Sequence, residues 1–179
     1  MTDANEPPEQ IVWQGKYIAA KVRGQWEYVS RARGIRAAVI LAIDPEDHVI
    51  LVEQYRVPLG RLSLELPAGL VGDHDDVAGE DDLTAAAREL EEETGYHAGR
   101  MELIGEFWSS PGMVSESYTL IRAHDLKKVG EGGGTDGENI TVHRVPLAEL
   151  PAYVAGCRAR GYGIDTKLLV VLGPHILGL

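Results

Sequence analysis

Apolar and polar positions along the chain predict many short strands and few helices. Two apolar, β-branched stretches within residues 11–30 meet at Arg23 and Gly24, which predicts a β-hairpin. Residues 36–43 are almost entirely apolar, as expected for a strand buried on both faces. Residues 49–55 form a second apolar stretch, and we expect it to pair with the first across the turn residues 44–47.

Residues 82–94 predict a helix. This segment, DLTAAARELEEET, contains strong helix formers without glycine or proline, and Gly95 follows where a helix C-terminus favours glycine. Further along, strands are predicted at 101–108, 117–123 and 140–145, a glycine-rich loop at 130–137, and helices at 147–160 and 166–172.

This order of elements predicts an α/β (α+β) architecture in which mixed β-sheets are sandwiched between helices. We expect residues 34–179 to form the main domain and residues 1–33 to form a polar tail followed by the N-terminal β-hairpin subdomain.

The charge balance narrows the class of partner. The chain has 28 acidic and 17 basic side chains and a net charge of -11, which repels the phosphate backbone of DNA or RNA. A small anionic substrate is compatible with this charge if divalent cations neutralise part of it locally. The sequence shows no signal-peptide pattern and no apolar stretch of about 18 residues, so we expect a cytoplasmic protein without a membrane partner.

Three carboxylates recur on one face of the predicted helix. Glu89, Glu92 and Glu93 stand at positions i, i+3 and i+4, so they share a face of roughly 100°. Like charges at this spacing repel one another unless a hard cation takes oxygen ligands there. An acidic run considered alone is more often a solvated helix face, so the spacing leaves both interpretations open.

The residues around these carboxylates resemble the Nudix box, G-x5-E-x7-R-E-U-x-E-E-x-G-U, in which U is a bulky apolar residue. From Glu80 to Tyr96 every specified position matches. The segment ELPAG precedes the box at 65–69, but ten residues instead of five separate Gly69 from Glu80. We expect the extra residues to form a surface insertion, and which glycine fills the first position stays open.

The resemblance implies a Nudix fold and a hydrolase that binds Mg²⁺, with Mn²⁺ as the alternative ion. The implied metal ligands are Glu89, Glu92, Glu93 and the carbonyl of Ala68. Arg88 is expected to form an ion pair with Glu92 at i+4, and both are candidate catalytic residues. Glu80 is expected to support the loop and helix from behind the ligands. Glu91 is expected to face solvent.

Residues 54–145 further resemble the subgroup that hydrolyses ADP-ribose and other nucleoside diphosphate sugars. The carriers of this resemblance are Gln54-Tyr55-Arg56 before the box and Ser110-Pro111-Gly112 after it, where the subgroup is distinguished by a proline. The implied substrate-binding residues are Arg56, Glu65, Pro111 and Gly112. The planar guanidinium of Arg56 suits a phosphate or the terminal ribose. Glu116 is a further candidate metal ligand or substrate contact.

The segment 130–140, GEGGGTDGENI, resembles the acidic loop that closes over the site in this family and supplies the catalytic base. Glu138 is the first candidate for this base, and Asp136 is the second, because the spacing to the following strand fits Glu138 better. The glycines are expected to give hinge freedom. The competing interpretation is an acidic surface loop without a catalytic role.

Together these features imply Mg²⁺-dependent hydrolysis of a nucleotide sugar, ADP-ribose first, to AMP and ribose 5-phosphate. A pyrophosphatase of the GDP-mannose type is the alternative among enzymes. A non-catalytic ligand sensor is the alternative from another class, although the chain keeps every box carboxylate. The N-terminal hairpin is too small to hold a core alone. The family resemblance implies that this hairpin packs against a second subunit in a homodimer.

Overall fold

The computed structural model describes residues 7–32, 36–71, 81–135 and 137–178. Glu80, Asp136 and the expected insertion therefore lie outside the described residues. The strands in the described ranges are β1 Gln10–Gln14, β2 Ile18–Arg23, β3 Trp26–Arg31, β4 Arg36–Ala42, β5 His48–Arg56, β6 Arg61–Glu65, β7 Ala68–Val71, β8 Tyr96–His97, β9 Arg100–Trp108, β10 Ser117–His124, β11 Lys127–Lys128, β12 Thr141–Pro146 and β13 Gly163–Ile164. The helices are α1 Asp82–Thr94, α2 Leu150–Ala159 and α3 Leu169–Leu177.

Two four-stranded mixed sheets form the body of the fold. The first sheet has the order β7-β4-β10-β9, with β4 and β10 parallel. The second sheet has the order β12-β5-β6-β13, with β6 and β13 parallel. An N-terminal sheet of β1, β2 and β3 and a short ladder of β8 and β11 complete the topology of the described residues.

Helices cover both sides of the sheets, as the sequence predicts. The apolar face of α1 packs into one buried cluster with β4 and β10, and its helical members are Ala85, Ala86 and Leu90. A second buried cluster joins β5, β6, α2 and α3, and its helical members are Leu150, Val154, Cys157 and Leu172. Strand β4 contributes to both clusters because alternate side chains of a strand point to opposite faces. Cys157, the only cysteine of the sequence, is free and buried in α2.

The predicted pairing of residues 36–43 with residues 49–55 is wrong. The corresponding strands β4 and β5 lie in different sheets, and a single isolated bridge between Ile43 and Val49 connects them. Strand β4 has β7 along one edge and β10 along the other, so neither edge is open to β5. The chain therefore crosses from one sheet to the other at the turn after β4.

The N-terminal sheet contains one strand more than the predicted hairpin. Strands β2 and β3 form that hairpin at Gly24, whose φ of 60° is left-handed, and β1 adds to the outer edge of β2. The sheet is also attached to the rest of the fold. The N–H of Val29 donates to the carbonyl of Met113 at 3.0 Å, and the N–H of Ser115 donates to the carbonyl of Val29 at 2.9 Å.

The predicted helix at 82–94 is confirmed as α1, with both ends capped. The side chain of Asp81 accepts the N–H groups of Leu83 and Thr84 at 3.0 and 3.1 Å, which satisfies two donors of the first turn. Gly95 ends the helix with a φ of 70°. A Cβ atom at Gly95 would lie 2.1 Å from the carbonyl oxygen of Gly130, so only glycine fits there.

The C-terminal part differs from its prediction in detail. Helix α2 begins at Leu150, and residues 166–168 form a 3-10 turn that leads into α3. Strands β6 and β7 lie on either side of Pro67, and the sequence analysis predicted neither of them. Within the described residues, no helix combines the length and the apolar character needed to cross a bilayer.

The close approach at Gly95 predicts a stability difference between two glycine substitutions. Gly60 is also left-handed, with a φ of 62°, but an added Cβ there would meet open space. Gly60→Ala should therefore cost only the left-handed conformation, about 1–2 kcal/mol in the free energy of unfolding. Gly95→Ala should cost at least about 1 kcal/mol more, because the loop must move away. Urea unfolding measures both, and equal losses would contradict the tight packing of the loop on the helix.

Candidate active site

A cleft of about 930 Å³ opens where α1, β7, the turn between β5 and β6, and residues 163–167 meet. Most of the site residues predicted from the sequence line this cleft, and these are Arg56, Glu65, Ala68, Arg88, Glu89, Glu92, Glu93, Glu116 and Glu138. Pro111 and Gly112 do not line it, since they lie exposed in a turn that follows β9.

Glu93 is a buried carboxylate of the cleft, with 5% of its surface exposed, close to the 4% of Glu65. The backbone N–H of Ala68 donates to its Oε2 at 3.0 Å, which fixes the carboxylate at the start of β7. Burial, together with the negative charges of Glu89 and Glu138, raises the pKa of Glu93 to about 8. The N–H of Ala68 is thus engaged with Glu93, whereas a metal contact of its carbonyl stays a prediction.

Glu89 stands one turn before Glu93 on the same face of α1. Burial raises the pKa of Glu89, although the charge and the hydrogen bond of Arg88 oppose this effect. A Cβ atom at Gly69 would lie 2.1 Å from Cγ of Glu89. Gly69 therefore allows β7 to approach the carboxylates, which gives the glycine of the ELPAG segment a physical role in the site.

The expected ion pair between Arg88 and Glu92 is confirmed, with Nη1 of Arg88 at 3.2 Å from Oε2 of Glu92. The same nitrogen lies 3.0 Å from Oε1 of Glu89. Because these side chains are partly exposed, the contacts orient the carboxylates more than they stabilise the fold. Glu91 is exposed, as predicted, and its carboxylate lies 3.1 Å from Nδ1 of His97.

Glu138 reaches the same end of the cleft from the glycine-rich loop. Its Oε2 accepts the N–H of Thr135 at 2.8 Å, and its charge contributes to the raised pKa values of Glu89 and Glu93. The loop is docked on the end of α1, where Gly133 donates to the carbonyl of Glu93 at 2.8 Å. In this structure the glycines serve close packing, a role that the hinge interpretation did not anticipate.

The chemistry of these side chains suits a divalent cation. The negative charges of Glu89 and Glu138 raise the pKa of Glu93, and the charge of Glu138 also raises the pKa of Glu89, as expected for carboxylates gathered without enough positive charge. Magnesium prefers such oxygen ligands. In the described part of the chain, however, no three acidic, histidine or cysteine side chains converge on one point. Glu89 and Glu138 are instead directed to Arg88 and the N–H of Thr135, so joint ligation requires them to rotate.

Arg56 and Glu65 form a bidentate ion pair on the wall next to these carboxylates. Nε and Nη2 of Arg56 donate to Glu65 at 2.8 and 2.7 Å. Burial alone would raise the pKa of Glu65, but the hydrogen bonds and charge of Arg56 outweigh burial and lower it. The carboxylate of Glu65 is therefore engaged in orienting Arg56, whose more exposed side chain faces the cleft.

Glu116 is held by a cation that the sequence analysis did not identify. Arg31, at the end of β3, donates to Oε1 of Glu116 from Nε at 2.8 Å and from Nη2 at 2.5 Å. Both side chains line the cleft, so the N-terminal sheet contributes directly to the site. A single arginine in an N-terminal strand carries no signal of this contact in the sequence.

Lys167 is a second cation that sequence reasoning missed. Its Nζ lies 2.6 Å from Oδ2 of Asp165 and 5.6 Å from the centre of the Tyr118 ring. These three residues line the cleft beside Arg56 and Glu65. The cleft thus has box carboxylates at one end and a wall of paired cations and carboxylates beside them.

A helix with buried carboxylates, a glycine-supported acidic loop and an adjacent arginine line one cleft of the described structure. The chain belongs to the Nudix family, because the NUDIX domain model matches residues 33–161, which is most of its length. The family resemblance found in the sequence is thereby confirmed.

The names of proteins that are similar to this chain indicate more than one function. The chain is 38% identical over 119 residues to a methanol dehydrogenase activator from Bacillus methanolicus, covering 66% of this chain and 62% of the relative. It is 39% identical over 114 residues to an ADP-ribose pyrophosphatase from Bacillus subtilis, covering 63% and 59%. It is 34% identical over 137 residues to a GDP-mannose pyrophosphatase from Cronobacter sakazakii, covering 72% and 67%. The chain therefore spans about three fifths to two thirds of these relatives.

A solved structure described as an ADP compounds hydrolase has the same fold. It superimposes with a TM-score of 0.68 at 22% sequence identity and covers 97% of this chain and 94% of its own. This likeness confirms the predicted Nudix architecture of mixed sheets between helices.

The raised pKa of Glu93 predicts how stability depends on pH when divalent cations are chelated. Because the fold favours the protonated carboxyl, its contribution to stability is full below about pH 4.5 and is lost as the pH rises through about 8. The melting temperature of the wild-type protein in EDTA should therefore fall between pH 5 and pH 8. Glu93→Gln, which cannot ionise, should melt about 5 °C or more above the wild type at pH 8.

Glu91→Gln is the matched control, because Glu91 is an exposed carboxylate of the same helix. Thermal unfolding followed by circular dichroism measures all three proteins. The same pH profile in Glu93→Gln and wild type would show that Glu93 is ionised at low cost in the fold.

Proposed function

We propose that this protein hydrolyses the pyrophosphate bond of a nucleoside diphosphate sugar, with Mg²⁺ bound at the box carboxylates. ADP-ribose is the first candidate substrate, and AMP and ribose 5-phosphate are its products. The observation that carries this proposal is that Glu89, Glu93 and Glu138 line one cleft, where the charges of the other two raise the pKa of Glu93. The cleft volume of about 930 Å³ is at the upper end of small-molecule sites and suits a molecule of this size.

Each part of the cleft has a role in this reaction. A bound Mg²⁺ supplies charge neutralisation at the phosphoryl oxygens and a bound water of lowered pKa. Glu89, Glu92 and Glu93 would hold the ion, and the N–H of Ala68 keeps Glu93 in place. Arg56, fixed by Glu65, donates its guanidinium hydrogens to the diphosphate.

Glu138 is the proposed general base. Its carboxylate lines the same cleft as Glu89 and Glu93, and its negative charge raises the pKa of both. Asp136 stays the second candidate. Arg88 orients Glu89 and Glu92 through its two ion pairs.

Two observations bear on the choice of substrate. The relatives include both an ADP-ribose pyrophosphatase and a GDP-mannose pyrophosphatase, so the GDP-mannose type remains the alternative substrate class. Glu116 and Ser109 place polar groups at the Arg31 side of the cleft, where the hydroxyls of a sugar can form hydrogen bonds. Pro111 and Gly112 do not line the cleft. Their proposed contacts with substrate therefore require the second subunit or a movement of the turn.

A non-catalytic sensor is the competing class of function, and one relative is named for activating a dehydrogenase. Retention of all box carboxylates supports catalysis instead, and the raised pKa of Glu93 is of the kind that clusters at functional sites. We also propose a cytoplasmic location, which fractionation would test.

The purified chain should be incubated with ADP-ribose, GDP-mannose and related nucleotide sugars, with Mg²⁺ or Mn²⁺, and the products identified by mass. We expect AMP and ribose 5-phosphate from ADP-ribose, and a loss of turnover of about a hundredfold or more in Glu93→Gln. Glu91→Gln should retain wild-type turnover. Absence of cleavage of every nucleotide sugar with either ion would refute the proposed function.

The loop base is tested by comparing Glu138→Gln with Asp136→Asn at saturating Mg²⁺. If Glu138 is the base, its variant should lose about a hundredfold or more in kcat with little change in KM, because the lost interaction belongs to the transition state. Asp136→Asn should be mildly affected. The reverse ranking would move the role to Asp136, and full activity of both would return it to the box helix.

We further propose a homodimer formed through the N-terminal sheet. The support is its exposed apolar side chains, among them Ile11, Val12, Trp13 and Trp26. Light scattering should give a dimeric mass for the wild type and a monomeric mass for Trp13→Glu. Ile176→Glu is the control, since Ile176 on α3 is 61% exposed and Trp13 is 57% exposed. A wild-type monomer at micromolar concentration would exclude the dimer.

A further inference from the structure

Lys128 connects the end of α1 to the glycine-rich loop. It lies on β11, which pairs with β8 directly after the helix. Its Nζ donates to the carbonyl of Thr94 at 2.9 Å and to the carbonyl of Glu131 at 3.3 Å. The same nitrogen lies 4.9 Å from the centre of the Tyr96 ring, so the charge is also held over an aromatic face.

This arrangement is electrostatically favourable. The last carbonyls of a helix have no partner within the helix and carry partial negative charge, which a lysine ammonium neutralises. Backbone N–H groups of the loop satisfy the neighbouring carbonyls. Those of Val129 and Gly130 donate to the carbonyl of Gly95. Those of Gly133 and Gly134 donate to the carbonyls of Glu93 and Glu92. Among the described residues, Lys128 contributes a side-chain cation to these contacts, and its Nζ donates to the helix and to the loop at once.

At two of its glycines the docked loop leaves no room for a Cβ atom unless a neighbouring group moves. A Cβ atom at Gly132 would lie 2.4 Å from the backbone of Thr94, and one at Gly134 would lie 2.3 Å from Oε2 of Glu138. Both glycines also have left-handed φ values, 73° and 77°. The path of the loop on the helix thus determines where the carboxylate of Glu138 is placed.

Lys128 itself does not reach the cleft. It lines a separate cavity of about 360 Å³, with Tyr96, Glu131 and Arg144, and no residue that lines this cavity also lines the cleft. Any effect of Lys128 on catalysis must therefore pass through the loop and not through contact with substrate.

We propose that Lys128 is a positioning residue that clamps the glycine-rich loop to the C-terminus of α1 and thereby holds Glu138 beside Glu89 and Glu93. This inference rests on the proposed catalytic role of Glu138. The clamp itself is a property of the fold and can be measured without substrate.

The test compares Lys128→Met, Lys128→Arg and the control Lys127→Met. Methionine keeps an unbranched side chain but removes the charge and the donors, whereas arginine restores both. Lys127 is the exposed neighbour on the same strand, so Lys127→Met makes the same change of charge outside the contacts of Lys128. Amide hydrogen exchange at Gly133 and Gly134 reports on the docking of the loop.

We expect exchange at Gly133 and Gly134 to be about tenfold faster in Lys128→Met than in the wild type, with exchange in β4 and β10 unchanged. On ADP-ribose, kcat should fall about tenfold and KM should stay within about twofold. Lys128→Arg should recover most of both losses, and Lys127→Met should match the wild type. If Lys128→Met does not fold, Lys128→Gln, which removes the charge but keeps N–H donors, tests the contribution of the charge alone.

Unchanged exchange at Gly133 and Gly134 would overturn the clamp. Faster exchange with unchanged kcat would overturn the link from the clamp to Glu138, and a rise in KM alone would assign Lys128 to substrate binding instead. Absence of turnover in the wild type would refute the proposed function, whereas the exchange measurement would still decide whether Lys128 holds the loop.

Discussion

The burial of one carboxylate, that of Glu93, is the constraint around which the site is arranged. An ionised group removed from water is costly unless it is hydrogen-bonded or paired. The N–H of Ala68 provides one hydrogen bond, which ties β7 to α1. The remaining demand for positive charge is not met by the nearby side chains, because Glu89 and Glu138 add further negative charge. The fold thus leaves uncompensated negative charge at the place where the proposed function requires a cation.

The end of α1 combines a structural and a functional requirement. Its last carbonyls need donors, and the glycine-rich loop supplies them through Gly130, Gly133 and Gly134. The same contacts bring Glu138 to the box carboxylates. The same contacts therefore satisfy the helix terminus and place the proposed base. Gly95 and Gly132 are required where the backbones of helix and loop nearly touch.

Local features of this site could be predicted from the sequence, and long-range features could not. The limits of α1, its glycine end and the pair of Arg88 with Glu92 follow from spacing along a helix. The separation of β4 and β5 into two sheets does not, because a continuous apolar run shows that a strand is buried but not which strand it pairs with. Arg31 and Lys167 were missed for a similar reason, since each is a single cation brought to the cleft by tertiary folding. The glycine run was assigned to motion because composition shows conformational freedom but not the neighbour that requires a missing Cβ.

The parallel pairing of β4 with β10 has a consequence for how the chain acquires its structure. Ala37 and Tyr118 are partners in this ladder although about eighty residues separate them along the chain. Contacts of such high sequence separation require a large loss of chain entropy before they form, and they slow folding. During synthesis β4 emerges well before β10, so the edge of β4 that pairs with β10 stays unpaired until β10 has been made. Expression at lower temperature or in the presence of chaperones should therefore favour recovery of the native protein over aggregation through that edge.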